Sequence, residues 1–185
     1  MKIILASGSP RRRELLATAG FDFEVVPADV DETNERAADS HQLVAALSEK
    51  KAKHVWERLR DYIIVGADTV VDIDGLILGK PVNEDDAFDM LSRLQGREHM
   101  VFTGVTVISP KGQKTFVENT KVFMRSLSEQ EIRGYMATGE PFDKAGAYGI
   151  QGCGAVLIER VEGDYFTVVG LPLCRLNLVL KALGA

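Results

Sequence analysis

The chain begins with a short apolar run, residues 2–6, closed off by Gly8 and Pro10. A run of that length between breakers predicts a buried strand. Ser9 followed by Pro10 predicts a helix start, since Ser caps the free amides and Pro suits the first helical position. Gly20 predicts the end of that helix. Residues 21–26, FDFEVV, alternate as a half-buried strand does. Asp39 or Ser40 then caps a long helix predicted to reach about Arg60. Residues 62–66, YIIVG, predict a second buried strand. Segments 69–73 and 76–79 predict a hairpin around Asp74-Gly75. Asn83 caps a helix to about Leu94. Strands are expected at 99–109 and 114–124, joined by Pro110-Lys111-Gly112. Ser128 with Glu131 forms a capping box for a helix over 129–138. A Gly-rich stretch, 143–154, leads to a strand over 155–161, and Gly170-Leu-Pro opens a last helix.

Helices alternate with strands, and neighbouring strands form hairpins. This order predicts an α/β fold with a mixed twisted sheet. With 185 residues and no repeat or linker, one domain over 1–185 is expected, and a cleft between two sheet lobes is compatible with the pattern.

Composition narrows the function. Apolar residues make up 45% and charged residues 26%, with a net charge of −5. That acidity argues against a broad nucleic-acid or membrane surface, so any anion must meet a local cluster of cations. No run approaches a membrane span or a signal-peptide core. Cys153 and Cys174 are expected as free thiols in the cytoplasm. His41, His54 and His99 match no zinc spacing.

Six features carry candidate chemistry. Arg11, Arg12 and Arg13 crowd a helix N-terminus that already attracts anions. They read either as an anion site, helped by Ser7 and Ser9, or as a solvated first turn paired with Glu14. On the long helix, Leu43, Val44, Leu47, Val55 and Leu59 define an apolar arc, and Lys51 falls near its middle. A lysine there needs an anion, a ligand or an interior carboxylate, unless its stem snorkels to water. Asp68 is placed at the end of an apolar strand, the usual address of a catalytic group in an open α/β sheet, or it merely caps a turn. The acidic run DVDE, 29–32, is either a solvated loop or a source of one Mg²⁺ ligand. Lys80 in GKP is expected near Asp68 through the hairpin. In DKAGAYGIQGCG, 143–154, glycines allow close backbone approach to a ligand, and Gln151 can both donate and accept. The other reading of that stretch is a tight loop between strands. Cations for phosphates, acids for a metal and water, and an amide for a base together point to a nucleotide phosphohydrolase.

From LASGSPRRREL through DVDE, KKAK, GADT, GKP and DKAGAYGIQG to GDYFTVVGLPL, the chain resembles the Maf family of nucleoside triphosphate pyrophosphatases. The resemblance implies a fold related to inosine triphosphate pyrophosphatases, with two lobes around a central nucleotide cleft, and a homodimer. It implies cleavage of the α–β phosphoanhydride with Mg²⁺ or Mn²⁺. It implies Asp68 as general base, Ser7, Arg12, Glu32, Lys51 and Lys80 as further catalytic positions, and Asp68 with Glu32 as metal ligands. Arg11, Thr69 and Gln151 match the branch acting on dTTP and UTP. In the resemblance's terms Arg12 holds the triphosphate, Arg11 tunes the base and Arg13 faces solvent. The alternatives are a pyrophosphatase for 7-methyl-GTP or inosine triphosphate, and a nucleotide-sensing regulator of division without turnover. Nucleotide-pool cleansing and control of division both remain open as cellular roles.

Overall fold

A computed structural model describes residues 1–32 and 37–185. Its seven strands follow the order β2-β1-β3-β5-β6-β7, with β4 paired to β3. They are β1 (Ile3–Leu5), β2 (Phe23–Val25), β3 (Ile63–Ile73), β4 (Leu76–Leu78), β5 (Glu98–Ser109), β6 (Gly112–Met124) and β7 (Ile158–Glu162). The helices are α1 (Pro10–Thr18), α2 (Ser40–Trp56), α3 (Glu84–Leu94), α4 (Glu129–Met136), α5 (Tyr165–Val169) and α6 (Leu173–Leu183). The fold is the mixed α/β class expected. The chain forms two compact units: Met1–Asp68 with Thr103–Glu118 and Gly170–Ala185, and Thr69–Phe102 with Asn119–Val169.

In the first unit β1 runs parallel to both β2 and β3, in the registers Ile3↔Phe23 and Ile3↔Ile63. All three β1 residues are buried. That explains the unbroken apolar run, because a parallel strand covered on both faces has no polar side. Helix α2 starts at Asp39, whose side chain accepts from Gln42 N at 2.8 Å. Its Ala52 and Val55 pack with Ile4, Ala6, Ile64 and Ile108. Two glycines set how closely it lies. A Cβ on Gly66 would stand 2.7 Å from Ala52 N, and one on Gly104 would stand 2.9 Å from Ala45 N. Only bare backbone lets α2 lie this close to β3 and β5. The buried Ser48 hydroxyl meets Thr106 Oγ1 at 3.0 Å, and Thr106 meets Thr115 Oγ1 at 2.9 Å. Polar groups of the packed face are thereby satisfied.

In the second unit the β3–β4 hairpin turns at Asp74 (φ 54°) and Gly75 (φ 82°), the two positive dihedrals a tight hairpin requires. Asp72 Oδ1 accepts from Gly75 N at 2.8 Å, so this acid serves the turn. Asn83 caps α3, and Ser128 with Glu131 forms the expected capping box on α4. Val71, Leu91, Leu94, Val122, Ile132 and Leu157 build the core.

Four expectations need correction. Helix α2 ends at Trp56, four residues short of Arg60, where the chain tightens into i→i−3 turns such as Arg58 N to Val55 O. The two strands expected around 62–73 are one, β3, and Asp68 lies inside it. Strand β6 starts earlier, at Gly112. Strand β7 starts later, at Ile158, because Gly152–Leu157 winds into 3-10 turns. Helix α5 went unanticipated. Asp164 caps it, accepting from Thr167 N at 2.9 Å.

Candidate active site

Most of the predicted polar residues fall in the first unit. Ser7 follows β1 directly and is buried. Its hydroxyl oxygen accepts from Ser9 N at 3.3 Å and from an Arg12 terminal nitrogen at 3.1 Å. Ser9 caps α1, and Pro10 occupies the first turn. Arg12 Nε donates to the Gly170 carbonyl at 2.8 Å. The guanidinium plane is thus fixed at two points, one before α1 and one before α6. Burial lowers the Arg12 pKa, and the charge of Asp68 opposes that shift. Arg11 is half-buried on the same turn, while Arg13 is exposed as expected.

The second group centres on Lys51. Its ammonium donates to Asp68 Oδ1 at 2.6 Å and lies 2.9 Å from Glu32 Oε1. Lys51 and Asp68 are nearly sealed from water, whereas half of the Glu32 side chain is exposed. The sequence left two partners open for a lysine on the apolar arc. The structure realises the interior carboxylate, and that carboxylate is the other leading candidate, Asp68. Burial pushes the Asp68 carboxyl above its ordinary range, Lys51 and Arg12 pull it down, and Glu32 adds to the rise. Lys50 Nζ donates to the Asp31 carbonyl at 2.7 Å, so adjacent lysines of α2 hold both ends of Asp31-Glu32. That role of Lys50 was not anticipated. Its sole signal was its place beside Lys51, at the edge of the apolar arc.

Thr69, Lys80 and Gln151 belong to the second unit. Thr69 is half-buried on β3. Lys80 is exposed, two residues beyond Leu78, the last β4 residue in the ladder with β3. Gln151 is exposed in the Gly-rich loop. Gly146 of that loop donates its N–H to the Gly79 carbonyl at 3.0 Å.

The donor chemistry bears on a metal. Among the described residues no cluster of three or more His, Cys, Asp or Glu side chains could hold an ion. Asp68 and Glu32 nonetheless share one cation already, the Lys51 ammonium. Mg²⁺ needs only one or two protein carboxylates when phosphate oxygens and waters complete its shell. The pair therefore fits an ion that arrives with a phosphorylated ligand. Among the described residues no helix is long and apolar enough to cross a membrane. Both cysteines are unpaired and exposed.

The chain is similar to known proteins in fold and in sequence. Among solved structures, the Staphylococcus aureus Ham1 protein matches with a TM-score of 0.52 at 15% identity, over 85% of this chain and 80% of its own. At that identity the match speaks to the fold alone. A dTTP/UTP pyrophosphatase of Dictyoglomus thermophilum is 53% identical over 186 residues, spanning 99% of this chain and 96% of its own. One from Geobacillus is 50% identical over 183 residues, spanning 99% and 98%. One from Caldicellulosiruptor bescii is 46% identical over 189 residues, spanning 99% and 95%. The model of the Maf-like protein family matches residues 2–183, and the chain belongs to that family.

Proposed function

We propose that this chain hydrolyses dTTP and UTP to nucleoside monophosphate and pyrophosphate. Relatives at about half identity over nearly the full length carry the name dTTP/UTP pyrophosphatase, which supports the substrate. The observation that carries the chemistry is the buried Lys51–Asp68 pair with Glu32 on the same ammonium.

Asp68 is the proposed general base. A carboxyl raised by burial holds a proton better than a solvated one, yet the adjacent Lys51 keeps its charged form accessible. Water attacks the α phosphorus, and its proton passes to Asp68. The bond to the α–β bridging oxygen breaks, and pyrophosphate leaves. Lys51, Arg12 and Lys80 offset the charge that grows on the leaving group. Ser7 and the Gly170 carbonyl tie the Arg12 guanidinium at two points, which supports a rigid fork for phosphate recognition. Asp68 and Glu32 would hold a divalent cation, whose chemistry is to neutralise phosphate oxygens. Arg11, Thr69 and Gln151 are the proposed base-selecting residues. Gln151 offers a donor and an acceptor, as the edges of uracil and thymine require. The homodimer and the cytoplasmic location belong to the same proposal.

The test is product analysis with Mg²⁺ over dTTP, UTP, CTP, GTP, 7-methyl-GTP and ITP. Monophosphate and pyrophosphate from dTTP and UTP are expected. Turnover of 7-methyl-GTP instead would overturn the roles of Arg11, Thr69 and Gln151. Tight binding without turnover would overturn the reaction.

A further inference from the structure

The Gly-rich loop of the second unit is wrapped around one carboxylate. Glu140 Oε2 accepts from Cys153 N at 2.8 Å, and Oε1 accepts from Gly154 N at 3.0 Å. Tyr135, the last buried residue of α4, donates its hydroxyl to Glu140 Oε1 at 2.9 Å. The same hydroxyl accepts from Gly149 N at 3.1 Å. Three loop amides therefore end on a single Tyr–Glu pair. The bonds flank Gln151 on both sides.

The loop glycines fit this arrangement. A Cβ on Gly152 would stand 2.6 Å from Glu140 Oε2, and Gly152 sits at φ +66°. A Cβ on Gly154 would stand 2.8 Å from the Tyr135 hydroxyl, and one on Gly149 would stand 3.2 Å from Glu140 Oε1. Gly152 leaves room for the Glu140 carboxylate itself, whereas Gly154 also admits the Gly149 carbonyl and Gly149 also admits the Lys144 stem. Burial raises the Glu140 carboxyl, but the amides of Cys153 and Gly154 outweigh it and hold the group below its usual range. Lys144 closes the other side by donating to the Glu140 carbonyl at 2.7 Å.

We propose that Tyr135 and Glu140 are positioning residues for substrate selection, holding the loop in the one shape that presents Gln151 to the base. This rests on the reading that Gln151 meets uracil or thymine. Hydrogen-bond readout of a base tolerates little displacement, because a misplaced amide leaves polar groups of the base unpaired. Lys51, Asp68 and Arg12 of the phosphate chemistry lie outside this loop, and Lys80 neighbours it through the bond from Gly146 N to the Gly79 carbonyl.

The experiment compares full-length wild type, Glu140→Gln, Tyr135→Phe, Gln151→Ala and the Glu140→Gln/Gln151→Ala double variant. Each is assayed on dTTP and UTP, and on CTP at high enzyme concentration, with melting curves alongside. Glu140→Gln and Tyr135→Phe should each lower kcat/KM for dTTP and UTP about tenfold through KM, with CTP changed less than about threefold. The double variant should match Gln151→Ala, because residues acting through one another are not additive. Equal losses on all substrates, or additive losses in the double variant, would overturn the proposal. Tyr135→Phe removes only a hydroxyl, so it decides the matter if Glu140→Gln does not fold. If wild type yields no monophosphate from dTTP or UTP, the functional reading itself fails and this proposal falls with it. If wild type is active and the variants keep its selectivity, only the positioning role is lost.

Discussion

Lys51 Nζ stands 2.6 Å from Asp68 Oδ1, both side chains nearly closed to water, and Glu32 supplies the ammonium with a second carboxylate at 2.9 Å. The pair is asymmetric. Removing the Asp68 charge leaves Lys51 with Glu32. Removing the Lys51 charge takes from buried Asp68 its hydrogen-bond donor and leaves it with the charge of Arg12. Burial already raises the Asp68 carboxyl, so its charged form costs stability at neutral pH. Asp68→Asn should therefore melt no lower than wild type, while turnover falls about 10²–10⁴-fold through loss of the base. Lys51→Met should be inactive and also less stable by about 3–5 kcal/mol. Paired melting and steady-state assays check this. An Asp68→Asn protein with near-wild-type kcat would sink the base assignment.

The three arginines that open α1 should separate in the same assay. Arg12 is tied to Ser7 and Gly170, whereas Arg13 is exposed. Arg12→Lys keeps the charge but has no planar fork to hold at two points. A charge-assisted hydrogen bond contributes about 1.5–3 kcal/mol, so kcat/KM for dTTP should drop roughly 10- to 150-fold. Arg13→Ala should stay within about twofold of wild type. Equal effects at the two positions would mean the first turn acts as a diffuse charge.

Helix α2 delivers Lys51, and Gly66 decides how near that helix lies. A methyl group at 66 would press on the α2 backbone at Ser48 and Ala52. Backbone cannot swing aside as a flexible side chain does, so Gly66→Ala should cost about 1–3 kcal/mol from overpacking. It should also lower kcat by displacing Lys51 from Asp68. Gly134→Ala is the control, since nothing stands within 4 Å of its added Cβ. Loss of stability without loss of kcat at 66 would show that the seat of α2 does not set the ion pair.

What could be read beforehand follows from the range of each signal. Lys51 was legible because a cation on an apolar arc needs a partner, and the arc repeats within one helix. Asp68 was legible by type but not by place. It was expected where a strand stops, yet β3 runs on to Ile73. Its carboxylate is satisfied by Lys51 from α2, and a window on β3 alone contains no trace of that donor. Nothing in the sequence around Glu140 singles it out. One acid after a glycine looks like any solvated turn, and the spacing of Gly149, Gly152 and Gly154 speaks for it only once a bulky neighbour is known to sit inside the loop. Helix α5 spans five residues, too few to establish a period, although Asp164 and Thr167 form a legible cap.

The second unit contains a buried group that should contribute to its loss of stability in acid. His99 lies on β5, 3% exposed, with Nε2 2.7 Å from the Tyr148 hydroxyl and Nδ1 without a partner. Burial lowers its pKa from 6.5 to about 4. The folded chain keeps His99 neutral in a range where the unfolded chain protonates it. The unfolded state therefore binds more protons between those two values, and stability falls as pH drops from about 6.5 to about 4. A gap of about 2.5 units corresponds to roughly 3 kcal/mol at 1.36 kcal/mol per unit. That contribution is fully present above pH 6.5. His99→Phe keeps a ring of similar width but has no site to protonate. Its melting temperature should gain on that of wild type steadily as pH is lowered from about 7 to about 4.5. Parallel curves for the two proteins over that interval would mean His99 keeps an ordinary pKa in the folded chain, with water reaching Nδ1.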